Sequence, residues 1–212
     1  MIKTLVAVPC FDMVHTDFME SIVNLQKPEG SFFTVVKNTL IHDARNIIAG
    51  NAINAGFDRI LWLDSDMKLP KDAFVQLSKD MDEGGLDYVS ALYFTRRPPN
   101  IKPVAYKMLK WNNDGEELDA DAENLYDYTE GLQECVATGF GCVLTTTDLL
   151  RRVWERFGSP FNPLDGMGED MSFCWRAGQI GAKLYLDARV KCTHIGCFEF
   201  DEAYYRGFGN GR

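Results

Sequence analysis

Two aspartates one residue apart are the side chains of this 212-residue chain best suited to chemistry. Asp64 and Asp66, with Ser65 between them, directly follow the apolar run at residues 60–63. Ligands of open α/β sheets bind at the carboxyl ends of the strands, and two carboxylates there repel each other unless a cation lies between them. A hard divalent ion held by carboxylates completes its shell with phosphates and water. The pair therefore predicts a metal and phosphate site; the alternative is a turn that caps the next helix.

The residues before this motif predict the elements that position it. Apolar residues recur at steps of three and four from Ile41 to Ala55, which is typical of a helix, and Gly56 suits the position after a helix end. A strand over residues 32–37 precedes this helix and a strand over residues 60–64 follows it. Together they predict a βαβ unit with a right-handed crossover.

Strands and helices alternate through the first half of the chain. The other elements expected there are strands at residues 3–8 and 88–94 and helices at residues 16–25 and 71–81. This alternation predicts an α/β fold with a mostly parallel central sheet flanked by helices.

The second half changes character at residues 111–134, which are acidic and carry few apolar anchors. We expect a small antiparallel excursion on the surface there, with a turn at residues 114–117. Residues 136–145 resume strand character, and their two interior glycines allow a ligand or another backbone to approach closely. An amphipathic helix is expected over residues 147–156.

Four motifs, in the same order along the chain, resemble the signature of family 2 glycosyltransferases with the GT-A fold. They are the Ala-Arg-Asn motif at residues 42–46, the Asp-Ser-Asp motif at residues 62–66, the Gly-Glu-Asp element at residues 167–178 and the histidine region at residues 192–196. The resemblance implies a single GT-A (Rossmann-like) domain over residues 1–212. Within it we expect a nucleotide-sugar-binding half (1–100), an acceptor and catalytic half (101–197) and a flexible lid or tail (198–212).

The resemblance also implies a metal site. It assigns Asp66 as a direct ligand, Asp64 as a contact to the ribose or, through water, to the metal, and His194 as the third protein ligand. An imidazole beside a carboxylate suits Mn²⁺, whereas oxygen ligands alone favour Mg²⁺. The alternative for His194 is a packing or capping side chain.

The catalytic residues implied by the resemblance are Asp170, as the base that takes the proton of the acceptor hydroxyl, and Glu169, which orients the acceptor. Both stand at the start of a predicted helix, whose dipole is expected to lower their pKa values and keep them ionised. The alternative is that Gly-Glu-Asp is ordinary helix capping. A retaining reaction would not use Asp170 as this base.

Several residues are implied for the nucleotide end of the donor. They are Pro9, Phe11, Asp43, Arg45, Asp64 and Ser65. Pro9 and Phe11 match positions that hold the base and ribose, and the cationic Arg45 matches one that faces the diphosphate. A UDP-sugar is the expected donor, although family members carry an aspartate that reads uracil where residues 37–39 of this chain are Lys-Asn-Thr.

Composition narrows the classes of partner. A net charge of −9 opposes loose electrostatic binding to nucleic acid or to anionic membranes. Locally, Arg96 and Arg97 precede two prolines and suit phosphate or carboxylate, or else form a solvated basic loop. No apolar run reaches the length of a membrane span, so we expect a soluble, cytoplasmic protein. The six cysteines contain no CxxC pair and are expected to be structural thiols.

The resemblance implies a metal-dependent glycosyltransferase, a hexosyl- or pentosyltransferase, that inverts the anomeric centre with Asp170 as the base. A nucleotidyltransferase acting on sugar phosphates is one alternative, but no glycine-rich phosphate loop with lysine follows the first strand. A non-catalytic sugar-nucleotide-binding module is the other. The acceptor, whether glycan, lipid-linked sugar, protein or modified DNA, and the oligomeric state stay open.

Overall fold

A seven-stranded sheet forms the centre of the computed structural model, which describes residues 1–113, 118–196 and 199–208. The first half contains β1 (Thr4–Pro9), α1 (Thr16–Asn24), β2 (Ser31–Val36), α2 (Ile41–Asn54), β3 (Arg59–Leu63), β4 (Met67–Lys68), α3 (Ala73–Gly84) and β5 (Tyr88–Leu92). The second half contains β6 (Ala105–Asn113), β7 (Leu118–Asn124), β8 (Leu132–Cys135), β9 (Ala137–Thr138), β10 (Cys142–Thr146), α4 (Thr147–Phe157), α5 (Glu169–Gln179), β11 (Leu184–Lys191), β12 (Thr193–Ile195), β13 (Glu199–Phe200) and α6 (Glu202–Phe208).

The central sheet has the strand order β2-β1-β3-β10-β5-β11-β8. Five of its seven strands run in one direction, and β10 and β8 run against them. The predicted α/β fold with a mostly parallel sheet is therefore confirmed. The predicted βαβ unit is present, but β1 lies between β2 and β3, so α2 crosses over one strand.

Two small three-stranded sheets flank the central one. The antiparallel pair β6 and β7, joined by β9, is the predicted excursion, and its expected turn at residues 114–117 lies outside the described residues. In the other sheet, β12 pairs with both β4 and β13. This pairing holds His194 opposite Met67, one residue after Asp66.

Successive side chains along a strand point to opposite faces of the central sheet, so the core has two layers, one on each face. In β3, Ile60 and Trp62 face the layer that contains α2, α4 and α5, whereas Leu61 and Leu63 face the layer that contains α1 and α3. Trp62 is fully buried and donates its indole N–H to Thr145 Oγ1 at 2.9 Å. Each fully buried large apolar side chain contributes about 1.5–3 kcal/mol to stability, so this packing stabilises the sheet that carries the loops of the site.

The strand expected at residues 136–145 is broken into β9 and β10, and two glycines lie at the break. A Cβ at Gly139 would overlap the Tyr93 hydroxyl, and one at Gly141 would lie 2.9 Å from Tyr93 Cζ. The Gly141 amide donates to that hydroxyl at 3.2 Å. The group that lies close to these glycines is therefore the Tyr93 side chain, where a ligand or another backbone was expected.

Helix ends and cysteines follow the sequence expectations. α2 ends just before Gly56, which adopts φ +70°, as expected for a glycine after a helix end. Five cysteines are free, and four of them are buried: Cys135, Cys142, Cys174 and Cys192. Cys10 is half-buried, and Cys197 lies outside the described residues. No helix in the described part of the chain is long and apolar enough to cross a bilayer.

Within the expected lid or tail, the described residues 199–208 form β13 and α6. The Tyr205 ring stacks on Phe94 with centroids 4.7 Å apart, and Lys191 Nζ lies 2.6 Å from Glu202 Oε2. These contacts place the segment against the core beside β5. Its role as a lid stays a prediction.

Candidate active site

A cleft of about 810 Å³ opens at the carboxyl ends of β1, β3 and β5. This is the edge of the sheet at which α/β proteins bind ligands. The cleft brings together almost all of the predicted site residues: Pro9, Phe11, Arg45, Asp64, Ser65, Asp66, Glu169, Asp170 and His194. Asp43 lies outside the lining that the described residues form, and its Oδ1 is 3.6 Å from His42 Nε2.

Arg45 connects the Asp-Ser-Asp motif to the start of α5. Its Nη2 donates to Asp64 Oδ1 at 2.7 Å and its Nη1 donates to Glu169 Oε1 at 2.6 Å. Only 2% of Arg45 is exposed, and its guanidinium lies 5.0 Å from the centre of the Phe140 ring. Burial disfavours the charged guanidinium, but the two carboxylates outweigh it and raise the pKa of Arg45. Arg45 thus lines the cleft with its terminal nitrogens already bound to protein carboxylates.

Asp66 meets two groups from other parts of the chain. Its Oδ2 lies 2.8 Å from Arg96 Nη1 and 3.6 Å from His194 Nε2. Burial raises the pKa of Asp66, but His194 and Arg96 outweigh that effect and the pKa is lowered. The same nitrogen, Arg96 Nη1, also donates to the Ile195 carbonyl at 2.8 Å, so two acceptors hold this end of the side chain.

His194 has the orientation of a metal-binding imidazole. Its Nδ1 lies 2.9 Å from the Phe94 carbonyl oxygen, which can only accept, so Nδ1 carries the proton in the neutral ring. Nε2, 3.6 Å from Asp66 Oδ2, is then the ring nitrogen left to bind a metal ion. Metal-ligating histidines usually donate their second N–H to a carbonyl or carboxylate in this way.

The predicted three-ligand metal set is only partly assembled. Within the described residues, no three His, Cys, Asp or Glu side chains converge on one point. Asp66 and His194 face each other, whereas Asp64 Oδ1 is bound by Arg45. One carboxylate oxygen and one imidazole nitrogen fit Mn²⁺ and leave positions for phosphate oxygens and water.

Glu169 and Asp170 form the first turn of α5, which begins after Gly168. The expectation that the helix dipole lowers the pKa of Asp170 is wrong. Burial raises the pKa of Asp170 to about 6, against the opposing effect of Arg45 and with a further increase from Glu169. The Met171 amide donates to Asp170 Oδ1 at 2.7 Å, so this carboxylate also satisfies one amide of the first helical turn.

The other end of the cleft carries exposed apolar side chains. Phe11 is 70% exposed, and Leu40 and Ile41 are exposed beside it. The Asn38 amide donates to the Phe11 carbonyl at 2.8 Å, and this bond fixes the loop after β1 against the loop after β2. An aromatic ring on a rigid loop is suited to contact with a flat base.

Two arginines and two tyrosines that are not among the predicted site residues also line the cleft. Arg96 and Arg97 come from the basic loop that the sequence indicated, whereas Tyr93 and Tyr106 were missed. Burial raises the pKa values of both tyrosines, and Asp170 adds to the effect. Tyr93 follows β5 and could have been placed at this edge of the sheet from the strand pattern. Tyr106 lies within the excursion, where no sequence signal pointed to the site.

Comparisons with known proteins support the fold. No protein-family model and no curated protein sequence matches the chain. The crystal structure of A197 from STIV matches with a TM-score of 0.65 at 16% identity, covering 92% of this chain and 86% of that one. The crystal structure of GalNAc-T7 with UDP, GalNAc and Mn²⁺ matches with a TM-score of 0.62 at 13% identity, covering 92% of this chain. That of S. aureus TarS 1–349 matches with a TM-score of 0.54 at 15% identity, covering 88%.

The class of fold follows from these matches. The chain spans 44% of the GalNAc-T7 chain and 60% of the TarS chain. Identities this low establish the fold alone. The chain has the mixed α/β GT-A fold that glycosyltransferases share.

Proposed function

We propose that this protein is a metal-dependent glycosyltransferase that moves a sugar from a nucleotide-diphosphate sugar to an acceptor hydroxyl. One observation carries the proposal. A single cleft of a GT-A fold is lined by a carboxylate and imidazole pair, Asp66 and His194, and by the partly buried carboxylate of Asp170, whose pKa is about 6. The first pair suits a leaving diphosphate with its metal, and Asp170 suits an attacking hydroxyl.

Asp66 and His194 would hold the divalent metal, Mn²⁺ or Mg²⁺. When bound, this ion supplies Lewis-acid stabilisation of the negative charge that grows on the departing diphosphate. Asp64 keeps its second oxygen for a ribose hydroxyl or a water because Arg45 holds only Oδ1. Ser65 lies between the two aspartates at the cleft wall.

The donor nucleotide would lie along the apolar end of the cleft. Pro9 and Phe11 would contact the base and ribose, with Leu40 and Ile41 on the opposite loop. Arg96 and Arg97 are the cationic side chains that would bind diphosphate oxygens, because Arg45 is buried between two carboxylates, whereas Arg96 makes a half-exposed ion pair with Asp66. A UDP-sugar is our first choice of donor.

Asp170 would act as the base of an inverting transfer. A carboxylate with a pKa of about 6 is largely ionised at neutral pH yet basic enough to accept a hydroxyl proton. The acceptor oxygen would attack the anomeric carbon as the bond to the diphosphate breaks, and its proton would pass to Asp170. Glu169, fixed by Arg45 at 2.6 Å, would orient the acceptor with its other oxygen.

Slow hydrolysis of the donor tests this proposal without an identified acceptor. The purified protein is incubated with UDP-, GDP- and CDP-sugars, with and without Mn²⁺, and the products are separated by chromatography. We expect one nucleoside diphosphate to be released only with Mn²⁺, and no release from Asp66→Asn. Asp82→Asn, at an exposed position of α3 outside the cleft lining, is the matched control and should retain the activity. Release of a sugar 1-phosphate in place of the diphosphate would indicate nucleotidyl transfer, and no release at all would contradict catalysis.

A further inference from the structure

A backbone carbonyl fixes the ring of His194 in the orientation that a metal ligand needs. The Phe94 carbonyl oxygen lies 2.9 Å from Nδ1 and can only accept, so the neutral ring holds its proton on Nδ1 and keeps a lone pair on Nε2. Which imidazole nitrogen carries the proton depends on the hydrogen bond that the other nitrogen makes. The position of Phe94 therefore decides which nitrogen of His194 can bind a metal ion at the cleft.

The Phe94 ring is held in turn by an aromatic side chain from near the end of the chain. Tyr205, on α6, stacks on it with ring centroids 4.7 Å apart and ring planes inclined by 17°. Phe94 is buried, whereas Tyr205 is half-buried. Stacked aromatic pairs of this kind stabilise a contact beyond the area that they bury. Loss of the Tyr205 ring would therefore free one face of the residue whose carbonyl holds His194.

The segment that carries Tyr205, residues 199–208, also contacts the strand that carries His194. β13 pairs with β12, and this pairing places Phe200 opposite His194 in the ladder. Glu202 Oε2 lies 2.6 Å from Lys191 Nζ, which joins α6 to the end of β11, three residues before His194. The segment is therefore linked to the imidazole by backbone pairing and an ion pair as well as by the aromatic stack.

We propose, on the basis of the proposed function in which His194 is a metal ligand, that residues 199–208 position His194 for the metal, with Tyr205 as the positioning residue. Altering the group that holds the second nitrogen of a metal-binding histidine typically changes metal affinity by about 10- to 100-fold. Tyr205 acts one contact further out, through Phe94, so its effect is smaller. This role requires the segment to stay in place against the core, and it differs from that of a lid that closes over the donor.

The first test locates the proton of His194 and needs no metal. Nitrogen-15 NMR of the metal-free full chain, under alkaline conditions in which imidazole is neutral, distinguishes the two tautomers. His194→Gln identifies the signal among those of the three histidines. We expect the wild-type ring to carry its proton on Nδ1. Tyr205→Ala should give a mixture of both tautomers, whereas Tyr205→Phe, which keeps the stacked ring, should resemble the wild type.

The second test measures the affinity for Mn²⁺ without nucleotide, from the paramagnetic resonance of the free ion. Tyr205→Ala should weaken binding by about three- to tenfold, and Tyr205→Phe should bind as the wild type does. Glu202→Gln removes the charge that faces Lys191 and leaves the aromatic stack in place, so it should weaken binding in the same direction and by less. Tyr126→Ala, at an exposed tyrosine outside the segment, is the matched control. Circular dichroism and thermal unfolding confirm that each variant is folded.

His194→Gln separates a failure of the positioning role from a failure of the proposed function. If this variant binds Mn²⁺ as tightly as the wild type, His194 is not a ligand, and the proposed metal site and the positioning role both fail. If His194→Gln weakens binding but Tyr205→Ala leaves the affinity or the tautomer unchanged, the metal site stands and the positioning role is overturned. A wild-type ring that carries its proton on Nε2 would overturn it as well.

Discussion

Arg45 Nη1 lies 2.6 Å from Glu169 Oε1 and joins α2 to α5 through residues 124 positions apart in the chain. The same guanidinium lies 2.7 Å from Asp64 Oδ1. One buried side chain therefore fixes the first aspartate of the Asp-Ser-Asp motif relative to the start of the helix that carries Asp170. We interpret Arg45 as a positioning residue for both ends of the proposed reaction.

Replacement of Arg45 should destabilise the protein strongly. Arg45→Met would leave Asp64 and Glu169 without their buried partner, and breaking a buried ion pair in this way costs about 3–5 kcal/mol. Urea unfolding measures the loss. The control is Arg151→Met, because Arg151 forms an exposed pair with Asp148 on α4 and should contribute less than about 1 kcal/mol. A similar small loss for both variants would contradict the positioning role.

Transfer or donor hydrolysis should depend on the ionisation of Asp170. The base acts when deprotonated, so kcat/KM should rise with pH around a midpoint of about 6. Burial is the main cause of this raised pKa; Arg45 opposes it, and Glu169 and Asp64 raise the pKa further. Asp170→Asn should lower the rate of transfer by about 10²- to 10⁴-fold and leave Mn²⁺-dependent nucleotide binding unchanged. An unchanged rate would exclude Asp170 as the base.

The same substitution should raise stability at alkaline pH. The pKa of Asp170 is higher in the folded protein than in the unfolded chain, so its contribution to stability is full at low pH and is lost as the pH rises through about 6. Asp170→Asn cannot ionise, and its amide oxygen can still accept the Met171 N–H. Thermal unfolding should show the variant about 1–3 kcal/mol more stable than wild type at pH 8 and equal to it near pH 4.

Arg96 should affect metal and nucleotide binding in opposite directions. Its guanidinium lies 2.8 Å from Asp66 Oδ2, where it opposes a second cation. Arg96→Gln should therefore tighten the binding of Mn²⁺ alone and weaken the binding of UDP with Mn²⁺, each by about three- to tenfold. Paramagnetic resonance of free Mn²⁺ and calorimetry measure the two effects. Lys102→Gln, an exposed cation of the neighbouring loop, is the control. Weaker binding of Mn²⁺ alone would contradict the competition.

A second pair of carboxylates, Asp80 and Asp187, lies away from the cleft, and we expect it to make the stability of the protein depend on pH. Asp187 is fully buried and binds Arg189 Nε at 2.8 Å, and Asp80 lies 2.7 Å from Arg189 Nη2. Burial raises the pKa of Asp80 to about 6, with a further increase from Asp187, whereas Arg189 outweighs burial and lowers the pKa of Asp187.

The two members of this pair should respond in opposite ways to substitution. The stability contributed by Asp80 is lost as the pH rises through about 6, so Asp80→Asn should stabilise the protein at pH 8. The stability contributed by Asp187 is present above the pKa of the unfolded chain and lost as the pH falls, so Asp187→Asn should destabilise it at pH 8. Thermal unfolding at pH 8 measures both, and shifts of the same sign would contradict the assignment.

The fold could be predicted from the sequence wherever the signal was local. Helical periodicity before Gly56 and the apolar run before Asp64 fixed α2 and β3, and the carboxyl-edge rule placed Asp64 in the cleft. The insertion of β1 between β2 and β3 depends on strand pairing over long distances, which local patterns do not encode.

The chemistry of the site was less predictable for the same reason. The helix start at Glu169 indicated a lowered pKa for Asp170, but the extent of burial decides the sign, and burial depends on tertiary packing around the helix. The pairing of Arg45 with Glu169 joins two motifs that the sequence presented separately. Residue type and charge were enough to identify the site residues. Which of them form ion pairs with each other follows only from the packed structure.

The central claim, a metal-dependent nucleotide-sugar site, is tested most directly by calorimetric titration of UDP, GDP and CDP into the protein with and without Mn²⁺. We expect one nucleotide to bind with measurable heat only when Mn²⁺ is present. This heat should disappear in Asp66→Asn and persist in Asp82→Asn, an exposed position of α3 outside the cleft lining. Binding that is equal with and without Mn²⁺, or that survives in Asp66→Asn, would contradict the account.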